Sequence, residues 1–209
     1  MKIVNPKIKE LENGSLKETI KTGDLSFFQY EKEEILGKYN ISDCTIDSCV
    51  FKNISFENIT FEDVELVDVI FENCDLSNKC FDKEAIIRVI FKNCKMTGTT
   101  FMDSKLENVQ FLECSNKYVN FASASMTNII IKDSDFEETS FLSTKIKNLE
   151  IDNVKFKGAE FISTALKDVD FSNSDIYGAK FDSNSLKDMI IDSMQAPVLV
   201  GLLGVKIKD

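Results

Sequence analysis

The groups in this chain that could do chemistry are thiols and carboxylates. Its 209 residues hold six cysteines, 35 acidic residues and no histidine. Cys74, Cys94 and Cys114 recur at steps of twenty, which brings a disulfide or a thiolate metal centre into consideration. With no histidine and no Cys-x-x-Cys, the metal reading lacks its usual ligand set. Five of the six cysteines fall instead on a track of small apolar residues, where Cys packs as a small hydrophobe. Cys80 lies off that track and is the expected accessible thiol. Carboxylate pairs recur all along the chain, so none of them marks a cleft. There is no Gly-x-Ser-x-Gly, no phosphate-cradling glycine loop and no dinucleotide fingerprint. These letters predict no catalytic residue, no metal, no cofactor and no enzyme.

What positions these groups is a five-residue beat from Ile41 to Ile191, without insertion or deletion. Large residues stand at Phe51, Phe56, Phe61, Leu66, Phe71, Leu76, Phe81 and onward to Ile191, and 15 of the 17 phenylalanines keep the register. Two places before each large residue runs a track of small or β-branched residues: Cys44, Cys49, Ile54, Ile59, Val64, Val69, Cys74. Two places after it come mostly Asn, Asp, Ser or Gly, as at Asn53, Asn58, Asp63, Asp68 and Asn73. Helices repeat at three and four and strands at two, so neither gives five. A short extended piece with two inward residues followed by a corner does give five. Asn, Asp and Gly suit the corner because they tolerate left-handed backbone.

Steps of twenty then keep like with like. Phe61, Phe81, Phe101, Phe121, Phe141, Phe161 and Phe181 make one column; Leu66, Ile86, Leu106, Met126 and Ile146 make another without Phe. Four sides per coil follow. The expected fold is all-β: a four-sided solenoid of roughly seven and a half coils, about 36 Å tall at ~4.8 Å per strand spacing.

These residues and this spacing resemble the pentapeptide-repeat family, and the resemblance covers about three quarters of the chain. It implies a right-handed quadrilateral β-helix. The family's Ala-Asp/Asn-Leu core is altered here: Cys, Val, Ile, Ser or Thr mostly replace Ala, and Phe often replaces Leu.

Around the solenoid, residues 1–40 are expected to cap the first coil and residues 192–209 the last, since open strand edges invite aggregation. Ser193 to Leu203 reads as a short helix with Pro197 in its first turn. The tail carries more apolar surface (Val198, Leu199, Leu202, Leu203, Val205, Ile207) than a small cap needs, which suggests a tail-to-tail homodimer. Nothing of membrane-spanning length occurs, and Met1 to Glu10 carries three lysines without an apolar signal core. A soluble, cytoplasmic protein without membrane contact is expected.

Two places break the chemistry of the beat without breaking its count. Lys79 and Glu84 occupy successive small-residue positions, where burying both charges costs several kcal/mol. An outward bulge over 78–86 is expected, or an escape of both side chains at a widened corner. Asn116, flanked by Tyr118, stands where a large apolar residue belongs. It is read as a second bulge, the alternative being a buried Asn bonded to backbone.

Net charge is −10 and uneven. Residues 41–77 hold Asp43, Asp47, Glu57, Glu62, Asp63, Glu65, Asp68, Glu72 and Asp75 against Lys52 alone. Such a block excludes nucleic acid as a direct partner and suits a basic protein surface; a merely solvated face is the plainer reading. The resemblance extends to family members of the quinolone-resistance type, which implies a non-catalytic rod that mimics duplex DNA, binds DNA gyrase and dimerises through its C-terminal helix. A scaffold or regulatory solenoid with a different partner is the alternative.

Overall fold

Backbone pairing follows the sequence beat. In the body of the molecule every strand is parallel to the next, and partners lie twenty residues apart: Leu66 with Ile86, Ile86 with Leu106, Leu106 with Met126, Met126 with Ile146. This computed structural model describes residues 2–202, 204 and 206. Its elements in order are β1 (Glu12–Asn13), α1 (Leu16–Thr22), β2 (Phe28–Glu31), β3 (Tyr39–Asp47), β4 (Val50–Lys52), β5 (Ile59–Glu72), β6 (Ala85–Lys92), β7 (Lys105–Leu112), β8 (Ser125–Lys132), β9 (Lys145–Asp152), β10 (Glu160–Phe161), β11 (Lys180–Phe181) and α2 (Ala196–Leu202). Parallel coils of about twenty residues stack into a solenoid of about eight turns, with a short C-terminal helix.

The corners are left-handed residues placed every five. Asp63, Asp68, Asn73 and Asn78 all lie at φ between +51° and +57°, giving four corners in one coil. Asn and Asp accept this conformation at low cost. Lys83, Arg88, Glu113, Tyr118 and Glu138 hold it as well, at φ +54° to +68°, without that help. Gly98 takes the same corner at φ +71°, where a Cβ would stand 2.6 Å from Asn78 Oδ1 and displace that side chain.

Inside, the large residues stack. Phe61, Phe81, Phe101, Phe121, Phe141, Phe161 and Phe181 form a continuous pile with centroids 4.8–5.4 Å apart. A second pile runs Phe51, Phe71, Phe91, Phe111 at 5.0–5.3 Å. The two meet edge-on, as where Phe101 meets Phe111 at 79°. Offset stacks and edge-to-face pairs are the favoured ring geometries, adding roughly 0.5–1.5 kcal/mol per pair beyond buried area.

The beat enters earlier than its letters suggest. Leu25, Tyr30 and Ile35 are five apart and buried, and left-handed corners follow at Phe27, Lys32 and Gly37. One extra residue before Ile41 hides the register, so this first coil pairs at a step of 21: Tyr30 with Phe51. Tyr30 stacks on Phe51 at 5.0 Å and extends the second pile. Its hydroxyl donates to Thr19 Oγ1 (3.0 Å), tying α1 over the coil. Glu33 accepts from the α1 backbone at Leu16 and Lys17 and from the Ser15 hydroxyl, satisfying donors that the first turn leaves free.

At the other end, Gln195 Nε2 donates to the carbonyls of Phe171 and Ser174 (2.9 and 2.6 Å), pinning the start of α2 to the last coils. Among the described residues, no helix is long and apolar enough to cross a membrane.

Candidate functional site: an acidic corner

The charged side chains sit on outward positions, and the faces on which they fall decide which of them act together. The step-of-twenty register separates the nine acids of residues 41–77 onto all four sides. Asp68 is nearly buried and held by Arg88 through two bonds, Nε to Oδ1 (2.6 Å) and Nη2 to Oδ2 (2.7 Å). That guanidinium, first among several partners, holds the Asp68 carboxyl below its usual range. Glu72 lies between Lys52 and Lys92, each 3.7 Å away, and Asp75 pairs with Lys95 at 3.3 Å. Asp47 is half-buried and accepts from the Ser48 hydroxyl. Glu57 lines a separate hollow with Asp75, Lys79 and Lys95.

Four of the nine come together. Asp43, Asp63 and Glu65 line one hollow with Glu84, and Glu62 and Asp63 line the adjoining one with Asp82, Glu84 and Cys80. Among the described residues none of these six carboxylates has a lysine or arginine within ion-pair reach. Glu84 feels the crowding: burial, then Asp63 and Glu65, push its pKa up. Asp82 and Glu84 were missing from the nine because they lie beyond residue 77. Their steps of twenty from Glu62 and Val64 were the available signal.

The expected bulges are corrected by the structure. Through 78–86 the coil register is unbroken: Asn78 N–H donates to Thr97 O, Phe81 to Thr100 O and Lys83 to Met102 O, all at 2.7–2.9 Å. Lys79 leaves by its long stem instead. Its Nζ donates to the carbonyls of Glu57 (3.2 Å) and Ile59 (2.9 Å), and burial lowers its pKa. Asn116 is wholly buried between Met96 and Phe136 in the large-residue column. Neither reading of it holds: there is no bulge, and both side-chain polar atoms lack a partner. Its backbone stays in the ladder, donating to Asp135 O at 2.7 Å. Bulging would forfeit several such bonds, whereas an unpaired amide costs about 1–3 kcal/mol. Tyr118 is exposed at an in-register corner.

All six cysteines are free thiols; Cys49, Cys74, Cys94 and Cys114 are buried, Cys44 half-buried and Cys80 exposed. Cys74, Cys94 and Cys114 stack, each directed at a carbonyl of the preceding coil (Phe51, Phe71 and Phe91, at 3.5, 3.5 and 3.2 Å). The neighbouring thiol raises the pKa of Cys94 to about 12. Among the described residues no group of three His, Cys, Asp or Glu could hold a metal ion. Of the proposed dimerisation residues, Val198 and Leu199 are half-buried on α2, and Leu202 closes that helix. Leu203, Val205 and Ile207 lie outside the described residues.

Sequence reading missed one feature altogether. Residues 2–7 run as a strap across β5 to β7. Lys7 N–H donates to Asp68 Oδ1 (2.8 Å), Val4 N–H to Asn108 Oδ1 (3.1 Å), and Gln110 Nε2 to Asn5 Oδ1 (2.8 Å). The signal was present: Val50, Ile70, Ile90 and Ile130 occupy an outward column, with Val67 and Ile87 beside it, where a water-facing wall should be polar.

A four-sided stack of parallel five-residue sides, with left-handed corners and an aromatic interior, defines a class of repeat solenoid. The model of the pentapeptide repeat region matches residues 64–141, and the same coil geometry continues on both sides of that stretch. No curated protein matches it in sequence. Solved structures similar to it include full-length QnrB1, described as a plasmid-mediated fluoroquinolone resistance protein (17% identity, 86% of this chain and 89% of that one, TM-score 0.42). Another is Rfr23, a pentapeptide repeat protein from the cyanobacterium Cyanothece 51142 (12% identity, 59% of this chain and 90% of that one, TM-score 0.42).

Proposed function

We propose that this protein is a non-catalytic binding rod of the cytoplasm whose acidic corner engages a basic surface on a partner protein. The partner is the DNA-binding saddle of a type II topoisomerase, DNA gyrase, which the corner approaches as a mimic of duplex DNA and so protects from quinolones. The observation that supports this is the gathering of Asp43, Glu62, Asp63, Glu65, Asp82 and Glu84 on one corner, where Lys83 is the one cation in the column and none of the six acids is held in an ion pair among the described residues. Six acids less Lys83 leave five net charges over three coils, ~14 Å at ~4.8 Å each, or one per ~2.9 Å, the same order as the one per ~1.7 Å of duplex DNA. Such a surface steers a basic partner at low salt and weakens as salt screens it. The rod acts as a tail-to-tail homodimer through α2.

The test is supercoiling and quinolone-trapped cleavage by gyrase, titrated with the protein at low and moderate salt. Glu62→Gln, Asp63→Asn, Glu65→Gln and Glu84→Gln together are expected to weaken protection at least ten-fold. Glu57→Gln with Glu72→Gln, on other sides, should leave it unchanged. Equal loss in both variants would remove the corner from the mechanism, and indifference of gyrase to the wild-type rod at micromolar concentration would remove gyrase.

A further inference from the structure

The strap of residues 2–7 is a separate device from the acidic corner. Solenoid walls usually face water, yet the outward column under this strap is apolar at Ile70 and Ile90, with Val67 and Ile87 alongside, all of them half-buried. Between the two apolar columns runs a ladder of polar side chains one coil apart. Asp68 bonds Arg88; Asn128 Nδ2 donates to Asn108 Oδ1 (3.2 Å), and Asn148 Nδ2 to Asn128 Oδ1 (2.8 Å). The ladder presents oxygen acceptors at Asp68, Asn108 and Asn128, with the donor Arg88 between the first two, and Asp68 and Asn108 hold the strap's backbone.

The spacing matches an extended chain. Lys7 and Val4 are three residues apart, ~10 Å when extended at ~3.3 Å per residue; Asp68 and Asn108 are two coils apart, ~9.6 Å. The strap thus climbs the wall across the strands, offering a backbone N–H every second coil. Its side chains fit the same wall. Ile3 and Pro6 are half-buried, the Asn5 amide takes the Gln110 donor, and the Lys7 charge lies near the Asp68 carboxylate. Asp68, Asn108 and Gln110 are nearly buried beneath it, each under a tenth exposed. Beyond Val4 the acceptors continue at Asn128 and Asn148, with Ile130 beside them, so the wall offers more track than residues 4–7 use.

We propose that this wall is a docking track for an extended segment of a partner protein, and that residues 2–7 occupy it in cis and hold it closed. The occupant it selects is defined by the segment now seated there: two free backbone N–H groups three residues apart, β-branched or proline side chains against the apolar columns, and a lysine beside Asp68. The inference stands apart from the gyrase reading, because the track is built from β5–β9 and uses none of the six corner carboxylates. A tethered segment competes at an effective concentration on the order of millimolar, so a free peptide binds the intact protein poorly until the strap is loosened.

The test uses the full chain. Val4→Pro with Lys7→Pro removes the two strap donors and leaves every track residue in place. A fluorescent peptide with the sequence of residues 2–10 is expected to bind this variant at least ten-fold more tightly than the wild type. Adding Asn108→Ala and Gln110→Ala should abolish that gain. On the wild-type protein, millimolar unlabelled peptide should speed hydrogen exchange at the Val4 and Lys7 amides, a readout that needs no variant to fold. Absence of binding to the loosened variant, equal binding to both proteins, or strap amides unmoved by excess peptide would each overturn the proposal. Protection of the Val4 and Lys7 amides that rises with protein concentration would assign the track to the strap of a second copy, and would overturn it too.

Discussion

Asn116 shows what a strict repeat does with a wrong letter. The column above and below it is Phe56, Leu76, Met96, Phe136 and Phe156, and the amide replaces a large apolar side chain without finding a partner. Keeping the count protects the Asn116-to-Asp135 bond and its neighbours, so the fold accepts the local penalty. Asn116→Leu removes the unpaired amide and adds apolar volume between Met96 and Phe136. It is expected to stabilise the protein by about 2 kcal/mol in urea unfolding, from the 1–3 kcal/mol penalty of an unsatisfied buried group. A destabilised variant would mean that the site is too small for Leu or that the amide is satisfied in solution. Lys79 illustrates the opposite solution: a long stem lets the charge reach two carbonyls and turns a forbidden letter into a tie between coils. From sequence, a bulge is the first expectation at both residues, with side-chain escape the alternative at Lys79 and a backbone-bonded amide the alternative at Asn116. The polar letter was visible, but whether its backbone or only its side chain deviates depends on bonds to residues twenty away.

At the scale of elements, the strap over the β5–β7 wall is anchored on one ion pair. Asp68 accepts from Arg88 twice and from the Lys7 backbone once, so its ionised form belongs to the folded, strapped state. Its folded pKa lies below the unfolded value of roughly 3.9. The stabilisation is therefore complete above about pH 4 and is lost as pH falls through the depressed folded value. Hydrogen exchange at Lys7, corrected for intrinsic rate, should rise as pH drops below about 4, and Asp68→Asn should abolish that dependence. A flat profile in the wild type would separate the strap from Asp68. The fold of these elements was legible because inward letters repeat at five and twenty, and each coil repeats the evidence. The strap was not, because its partners Asp68, Asn108 and Gln110 lie 61 to 105 residues away and its own six residues carry no periodicity. The first coil was hidden by a single inserted residue before Ile41, which shifts Leu25, Tyr30 and Ile35 off register while leaving their spacing intact. The acidic corner was half legible: the charge block was plain, but its division over four sides needs the register.

As a whole molecule the solenoid is quasi-one-dimensional, each coil held mainly by its two neighbours. Stability should then vary along the axis. The N-terminal half has α1 tied over the first coil, long strands from β5 to β9, and the strap joining the coils of Asp68 and Asn108. The C-terminal coils have only the two-residue strands β10 and β11, and Leu186, Met189 and Ile191 are no more than half-buried near the end. Hydrogen exchange is expected to give its slowest amides in β5–β8 and progressively faster ones from β10 through β11. The α2 amides decide the assembly. In a monomer their protection is slight and independent of protein concentration, because a seven-residue helix is marginal by itself. In the proposed tail-to-tail dimer, Val198 and Leu199 meet a second copy, so protection of α2 and of the β11 coil rises together with concentration, and Leu199→Asp removes the rise. Protection that does not change between about 1 and 100 µM, a hundredfold range worth about 2.7 kcal/mol of mass action, would leave α2 as a monomeric cap and the rod to meet its partner alone.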